Sequence, residues 1–279
     1  MEPAITDRLK ICLKRGKKIS FLVGAGISAE SGIPTFRGED GYWVSGSKNY
    51  KAQEIGTKQF FNVASHEVLK FYLYRKSVTE FAEPNQSHYM LSDIESSIGD
   101  QFALVSQNID GLHRKAGNSE ERTYLIHGDH SKMRCGDDCS DELYPFPKEI
   151  VLKGRGKNQL TEQEIKLLKC PKCDEDLRPH VLWFDECYNE KFFRKETVLR
   201  LSKQTGVLFI LGTSGETTLP QLIAKNVLAR SGMVVEVNIA ESYFSQLLKD
   251  KANGLVIRSE SSPFLTTLRN LIVKLKEQQ

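Results

Sequence analysis

The sequence has no apolar run approaching the roughly 18 residues that a membrane-spanning helix needs. Met1 to Lys18 is charged and lacks the apolar core of a secretion signal. Repeats and low-complexity segments are also absent. The net charge of +3 is too small to predict a nucleic-acid or anionic-membrane partner. We therefore expect a cytoplasmic protein without membrane association or direct nucleic-acid binding.

The composition is that of an ordinary globular protein, with 39% hydrophobic and 27% charged residues. A chain of 279 residues is long enough for a sizeable core in one or two domains. The six cysteines include two close pairs, and without a secretion signal such pairs favour zinc over disulfides.

The cysteine pairs predict a structural zinc site with four thiolate ligands. Cys170 and Cys173 have the C-x2-C spacing of a zinc knuckle, whereas Cys135 and Cys139 are one residue further apart. Two unrelated pairs of free thiols remain the alternative. Cys12 and the remaining cysteine, Cys187, are interpreted as ordinary thiols.

Short apolar runs alternate with helix-like stretches, which predicts an α/β fold with a doubly wound parallel sheet. The predicted strands are Ile19–Val23, Phe102–Ser106, Val181–Phe184, Val207–Leu211, Met233–Asn238 and Leu255–Ile257. The predicted helices are Gln86–Ser97, Glu190–Gln204, Leu219–Ser231, Ser242–Lys251 and Pro263–Glu277. We expect a large Rossmann-like part over about 1–38, 85–130 and 177–279. A smaller inserted domain covers about 39–84, which becomes helical, and the cysteine-bearing 131–176.

A glycine-rich loop follows the first predicted strand. Gly24-Ala25-Gly26 would let backbone N–H groups approach a phosphate, and Ile27 begins a predicted helix. The G-x-G-x-x-A spacing alone is equally typical of a tight turn in any α/β protein. The loops at Gln107, Gly212 and Asn238 also follow strands, so we expect all four to meet at one edge of the sheet.

The residues after this loop resemble the sirtuins, the NAD-dependent protein lysine deacylases. The resemblance covers roughly residues 15 to 270 and appears in family order. It rests on Ser31-Gly32-Ile33-Pro34 with Phe36-Arg37-Gly38, Gln107-Asn108-Ile109-Asp110-Gly111-Leu112-His113, His127-Gly128, the cysteine quartet, Arg178-Pro179-His180-Val181-Leu182-Trp183-Phe184, Gly212-Thr213-Ser214 and Val237-Asn238.

The resemblance implies NAD as cofactor, bound in the cleft between the two parts. The implied cofactor-binding residues are Gly24, Ala25, Gly26, Ile27, Thr35, Phe36, Arg37, Gln107, Asn108, Asp110, Gly212, Thr213, Ser214 and Asn238. Phe36 and Arg37 would cover the nicotinamide ribose, Asn108 would order the ribose and a water, and Asp110 would hold the carboxamide.

The implied catalytic residues are His127, Asn108 and Asp110. By resemblance, the acyl-lysine oxygen attacks the anomeric ribose carbon, nicotinamide leaves, and His127 takes a proton from a ribose hydroxyl. An imidazole suits this role because its ordinary pKa lies near the working pH. The other histidines (His66, His88, His113, His130 and His180) are interpreted as structural.

The implied partners are acyl-lysine proteins or peptides, bound by a chain that we expect to be monomeric. Val181, Leu182, Trp183 and Phe184 would pair with the peptide as an added strand. Tyr72 and Arg75 are three residues apart, on one helix face. They resemble the class III pair that binds the distal carboxylate of malonyl, succinyl or glutaryl groups. A surface or packing pair is the alternative.

Three positions depart from the usual sirtuin pattern. Asp185 replaces a glycine at the expected peptide entrance, Glu216 stands where an apolar residue is usual, and Thr35 replaces the commoner aspartate. Two other functions remain open: an NADase or ADP-ribosyltransferase without deacylase activity, and a non-enzymatic NAD-binding module. The presence of His127, Asn108 and Asp110 favours an enzyme over the binding module.

Overall fold

Six parallel strands form the central sheet of the protein, in a computed structural model that describes residues 1–35, 52–150 and 160–278. Their order across the sheet is β3-β2-β1-β7-β8-β9. The strands are β1 (Lys18–Val23), β2 (Phe102–Ser106), β3 (Thr123–Leu125), β7 (Thr205–Leu211), β8 (Met233–Val237) and β9 (Gly254–Ile257). The predicted doubly wound parallel sheet is therefore confirmed.

Helices cover both faces of this sheet. Those described are α1 (Pro3–Arg15), α2 (Ala52–Ile55), α3 (Lys58–Glu80), α4 (Gln86–Ile98), α5 (Leu112–Lys115), α6 (Glu162–Leu167), α7 (Glu190–Phe193), α8 (Lys195–Ser202), α9 (Thr218–Ala229), α10 (Tyr243–Leu248) and α11 (Ser261–Glu277). Short 3-10 helices cover Ala25–Ser31 and Gly99–Gln101. Among the described residues, no helix is both long and apolar enough to cross a membrane.

Alternate residues of β1 face the two cores. Phe21 packs with residues of α1, α4 and α11 on one face, and Leu22 packs with residues of α8, α9 and α10 on the other. Successive strand side chains point to opposite faces of a sheet, so a strand covered on both faces is apolar throughout. This explains why β1, β2, β7 and β8 are recognisable as continuous apolar runs, whereas the short and less buried β3 was not predicted.

A second, antiparallel sheet of three strands lies outside the large one, in the order β5-β4-β6. Its strands are β4 (Gly128–Cys135), β5 (Tyr144–Pro145) and β6 (Leu177–Val181). Helix α3 packs against it through an apolar cluster that includes Phe61, Leu69 and Tyr72. The helix is interrupted at Ala64, whose backbone is not helical.

The structure corrects two predicted elements. The parallel strand over Val181–Phe184 is wrong, because the strand here is β6, which ends at Val181 and runs antiparallel to β4. The single helix over Glu190–Gln204 is also wrong. Arg194 has a left-handed backbone (φ 54°) that separates α7 from α8. The division of the chain into a large part and an inserted domain stays a prediction.

Candidate active site

The loops after four neighbouring strands meet at the carboxyl edge of the large sheet. After β1, Gly26 N–H donates to Gly212 O after β7 (2.8 Å). After β2, the Gln107 amide donates to Thr213 Oγ1 (3.0 Å). Asn238, which follows β8, donates from its amide to Thr213 O (3.0 Å). The four loops therefore meet at one edge of the sheet, as predicted from the sequence.

Glycine is required where these loops touch. A Cβ on Gly24 would lie 2.6 Å from Thr213 Cβ, and one on Gly26 would lie 2.8 Å from Gly212 Cα. Both positions need the close backbone approach that only glycine allows. The segment that follows is a 3-10 helix of seven residues, not an α-helix. The side chain of Ile27 is buried in the core, so its backbone is the part that lies against the loop after β7.

A cavity of about 340 Å³ lies at the carboxyl ends of β7 and β8. Its lining includes Ser214, Glu216, Gln221 and Glu241, which offer hydroxyl, carboxylate and amide groups. The hydroxyl, carboxylate and amide groups of this lining fit the hydroxyl groups of a ribose better than a diphosphate, because carboxylates repel phosphate. Glu216 therefore faces the cavity.

Asn108, Ser28 and Asp110 form a hydrogen-bonded chain beside the glycine loop. The Asn108 amide donates to Ser28 Oγ (3.1 Å), and the Ser28 hydroxyl donates to an Asp110 carboxylate oxygen (2.8 Å). The other Asp110 oxygen accepts from Leu112 N–H (3.0 Å). Ser28 thus holds two predicted site residues together. It was not itself predicted as a site residue, although it lies within the glycine-loop motif.

His127 lies between β3 and β4, partly buried, with both ring nitrogens engaged. Nδ1 contacts the carbonyl oxygen of Gln107 (2.9 Å), and Nε2 contacts the Tyr188 hydroxyl (2.7 Å). Burial lowers the pKa of His127 to about 4, against a smaller opposite effect of the Gln107 carbonyl. The imidazole is therefore neutral at physiological pH, as a general base must be.

Gly128 fixes the chain direction after His127. Its φ is +93°, and a Cβ there would collide with the His180 carbonyl of β6. The pair His127-Gly128 is thus a histidine at a turn that only glycine can make. Tyr188 has no comparable sequence signal and was not predicted as a site residue.

Tyr72 and Arg75 lie on α3, as predicted. Tyr72 is buried, and its hydroxyl accepts a hydrogen bond from Trp183 Nε1 (3.0 Å). The Arg75 guanidinium carbon lies 5.9 Å from the centre of the Tyr72 ring. The structure therefore brings Tyr72 into contact with the segment predicted to bind the peptide, and Arg75 lies beside Tyr72.

Backbone N–H groups of the predicted peptide-binding segment are used within the chain. Leu182 N–H donates to His127 O (3.0 Å), and Phe184 N–H donates to Gly56 O (3.0 Å). Trp183 N–H donates to a Glu186 carboxylate oxygen (2.9 Å). A peptide strand added here would have to use other groups or displace these bonds, so the role of Val181 to Phe184 stays a prediction.

Asp185 caps helix α3. Its carboxylate accepts from the backbone N–H groups of Lys58 (2.8 Å) and Gln59 (3.0 Å), while Thr57 Oγ1 accepts from Phe60 N–H (3.1 Å). Three of the four N–H groups that a helix start leaves without partners are thus satisfied. This explains the departure from glycine at position 185.

The four cysteines of the predicted metal site come together. The sulfur atoms of Cys135, Cys139, Cys170 and Cys173 all lie within 4.8 Å of one another. Two pairs are 3.5 Å and 3.6 Å apart, close to the ~3.8 Å expected for thiolates bound tetrahedrally to Zn²⁺. The geometry fits structural zinc.

For several predicted site residues the structure gives mainly a position in the chain, or describes no position at all. Phe36 and Arg37 lie outside the described residues. Thr35 is the last residue described before them, and Ala25 begins the 3-10 helix. The cofactor-binding and catalytic roles of the predicted residues remain predictions, although most of these residues lie at one sheet edge.

Known proteins resemble this chain in sequence. A family profile described as "Sir2 family" matches residues 24–218. An NAD-dependent protein deacylase of Pyrococcus furiosus is 38% identical over 234 residues, which cover 84% of this chain and 86% of that protein. The mitochondrial NAD-dependent protein deacylase sirtuin-5 of Xenopus tropicalis is 34% identical over 237 residues, covering 81% and 74%.

Solved structures resemble the fold over the whole chain. An ADP-ribose complex of a mutant Sir2 homologue has a TM-score of 0.78 and 26% identity, and covers 100% of this chain and 99% of the other. An NAD complex of a Sir2 homologue has a TM-score of 0.75 and 25% identity, covering 100% and 95%. The sheet edge, the cysteine cluster and these matches agree, and the chain belongs to the Sir2 family.

Proposed function

We propose that this chain is an NAD-dependent protein lysine deacylase that removes acyl groups with a distal carboxylate, such as succinyl and malonyl. Its membership of the Sir2 family and the deacylase names of its relatives support the first part of the proposal. The contact between Tyr72 and Trp183 supports the second.

That contact joins the acyl-binding pair to the segment after β6. The Trp183 indole donates to the Tyr72 hydroxyl, which leaves the Tyr72 proton available for an acceptor such as a carboxylate. Arg75 lies one helical turn further along the same face and adds a planar cation that can bind a carboxylate with two hydrogen bonds. An acetyl group has no charge to use this pair.

The chain's own residues supply the remaining functions. The cofactor, when bound, would provide the ribose that receives the acyl group. Asn108 and Asp110 would orient it from the loop after β2. The glycine loop after β1 would lie beside its diphosphate, although the N–H groups of Gly24 and Gly26 already donate to Leu211 O and Gly212 O. His127 would hold the transferred proton at Nε2, because its Nδ1 hydrogen is committed to Gln107 O. Zinc would hold the small sheet together and leave no position open for substrate.

Matched peptides with acetyl-lysine or succinyl-lysine test this function. Each peptide is incubated with the protein and NAD, and the products are identified by mass spectrometry. We expect loss of the succinyl group together with release of nicotinamide and formation of acyl-ADP-ribose. Release of nicotinamide without loss of any acyl group would instead identify an NADase.

The substitution Arg75→Met separates the two acyl groups. Desuccinylation should fall by roughly 10- to 100-fold, as expected when a charge-assisted hydrogen bond worth about 1.5–3 kcal/mol is lost. Deacetylation should stay near the wild-type rate. Lys70→Met on the same helix is the control, because Lys70 forms its ion pair with Glu67. Equal loss of both activities in Arg75→Met would contradict the assignment.

Assembly and location are further proposals. We propose a monomer, which light scattering can test, and a cytoplasmic location. The frog relative is named mitochondrial, so microscopy of the tagged protein in its own cell is the relevant test of location.

A further inference from the structure

The Tyr188 hydroxyl is hydrogen-bonded to His127 Nε2, the atom that receives the proton in the proposed function. Tyr188 Oη lies 2.7 Å from His127 Nε2, and the two rings are 5.8 Å apart with an interplanar angle of 32°. Tyr188 follows the loop that contains Asp185 and Glu186. No step assigned above uses this hydroxyl.

The direction of the hydrogen bonds follows from their partners. A carbonyl oxygen only accepts, so the contact with Gln107 O places the ring hydrogen of neutral His127 on Nδ1. Nε2 then carries a single lone pair, and the Tyr188 hydroxyl donates to it. A proton can reach Nε2 in only two ways: through Tyr188 Oη, or after Tyr188 has moved away.

The surroundings of Tyr188 favour the first way. Nearby, Thr217 Oγ1 donates to the Gln107 side-chain oxygen (3.2 Å). The Gln107 backbone carbonyl accepts from His127, so Gln107 is bonded to both Thr217 and His127, and Tyr188 is bonded to His127. The Tyr188 ring also packs against the apolar cluster on one face of the large sheet. Moving Tyr188 away would break its hydrogen bond to His127 and its packing together.

We propose that Tyr188 is the proton relay of this site, so that a proton reaches His127 through the Tyr188 hydroxyl. Tyr188 Oη would accept the proton of the incoming hydroxyl, whose oxygen keeps the electron pair of the broken O–H bond, and the original Tyr188 proton would pass to the lone pair of His127 Nε2. Tyrosine is neutral before and after the step, and the positive charge resides on the imidazolium. The identity of the incoming hydroxyl, a ribose hydroxyl of the cofactor, rests on the proposed function.

The chemistry of tyrosine suits this relay. Burial raises the pKa of Tyr188 to about 12, so the phenol keeps its proton at physiological pH and can donate to Nε2. A hydroxyl can donate one hydrogen bond and accept another at the same time. Phenylalanine keeps the ring and its packing but can do neither.

The test compares Tyr188→Phe with Tyr124→Phe, a matched tyrosine that packs partly buried against the same apolar cluster. In the ligand-free protein, ¹⁵N NMR of the histidine ring reports the tautomer and titration midpoint of His127. We expect Tyr188→Phe to raise that midpoint, because a donor that favours the neutral imidazole is lost. Tyr124→Phe should leave the midpoint unchanged, and thermal melting confirms that both variants fold.

Kinetic measurements then distinguish a Tyr188 that relays the proton from a Tyr188 that only shields His127 Nε2. In Tyr188→Phe, deacylation should slow by about 100-fold or more, the range for loss of a proton-transfer group. Exchange of labelled nicotinamide into NAD, which precedes proton transfer to His127, should stay near the wild-type rate.

Two results would overturn the relay. Deacylation in Tyr188→Phe that equals or exceeds the wild-type rate would show that Tyr188 only covers Nε2. If the substitution leaves the titration midpoint of His127 unchanged, the Tyr188 hydroxyl does not form a hydrogen bond to Nε2 in solution. Failure of the proposed function is distinct, since the wild-type protein itself would then not deacylate, whereas failure of the relay leaves deacylation by the wild-type protein intact.

Discussion

Removing the Asp185 carboxylate should destabilise the protein through helix α3. The Asp185→Ala variant loses two hydrogen bonds, to Lys58 N–H and Gln59 N–H, at the start of that helix. Loss of a capping side chain costs about 0.5–2 kcal/mol, and loss of a negative charge near a helix start costs about 0.3–1 kcal/mol. Because Asp185 is exposed, water can replace part of both contributions.

We therefore expect the free energy of unfolding to fall by about 1–2 kcal/mol. For a chain of this size, that corresponds to a decrease of Tm by roughly 2–6 °C. Asp185→Asn keeps an acceptor oxygen but loses the charge, so its Tm should lie between those of the wild type and the alanine variant. The measurement is differential scanning calorimetry at low ionic strength.

A second exposed carboxylate serves as the control for the Asp185 substitutions. Glu121→Ala removes an exposed carboxylate from the turn before β3 and should leave Tm unchanged. If Asp185→Ala melts at the wild-type temperature, the cap does not stabilise α3. If the aspartate acts only by its charge, Asp185→Asn should be as unstable as Asp185→Ala, and the hydrogen bonds then contribute nothing.

Metal removal and pH give two further predictions. Purified protein should contain one zinc ion per chain by elemental analysis, and Cys170→Ser should lose the metal and lower Tm, because metal binding stabilises only the folded cluster. Fully folded wild-type protein without zinc would contradict this. Stability should also fall as the pH drops from about 6.5 towards 4. Burial lowers the pKa of His113 to about 3 and that of the adjacent His88 well below its ordinary value, so only the unfolded chain binds those protons. His113→Phe should reduce this pH dependence in chemical unfolding at pH 7 and 4.5, and an unchanged dependence would contradict it.

The sequence predicted the large sheet well and the small sheet poorly, for a physical reason. Strands β1, β2, β7 and β8 are covered on both faces, so their apolar runs are continuous and visible. Strand β4 contains Asp129, His130 and Lys132, and its pattern does not resemble a strand. Strand β6 buries Arg178, which no simple pattern predicts.

Arg178 is buried because the fold supplies its partners. Its guanidinium donates to both carboxylate oxygens of Glu186 and lies over the Trp183 ring. These partners come from a loop that follows the strand, so they are invisible to any local pattern. The same limit explains why Tyr188 was missed. The role of Tyr188 depends on its contact with His127, which lies 61 residues earlier in the chain. Sequence motifs, in contrast, join residues that are close together in the chain.

The two longer strands of the small sheet form a ladder with the cysteines at one end and His127 at the other. Cys135 pairs with Leu177 at the cysteine end, and Gly128 pairs with Val181 at the other. Beyond that pair, Leu182 N–H donates to His127 O. A slip of one residue between two strands turns every side chain to the opposite face of the sheet. Four cysteines that must converge on one ion permit only one alignment. A metal bound there would therefore fix the strand register at the cysteine end of the ladder, about 13 Å along β6 from the pair that precedes His127.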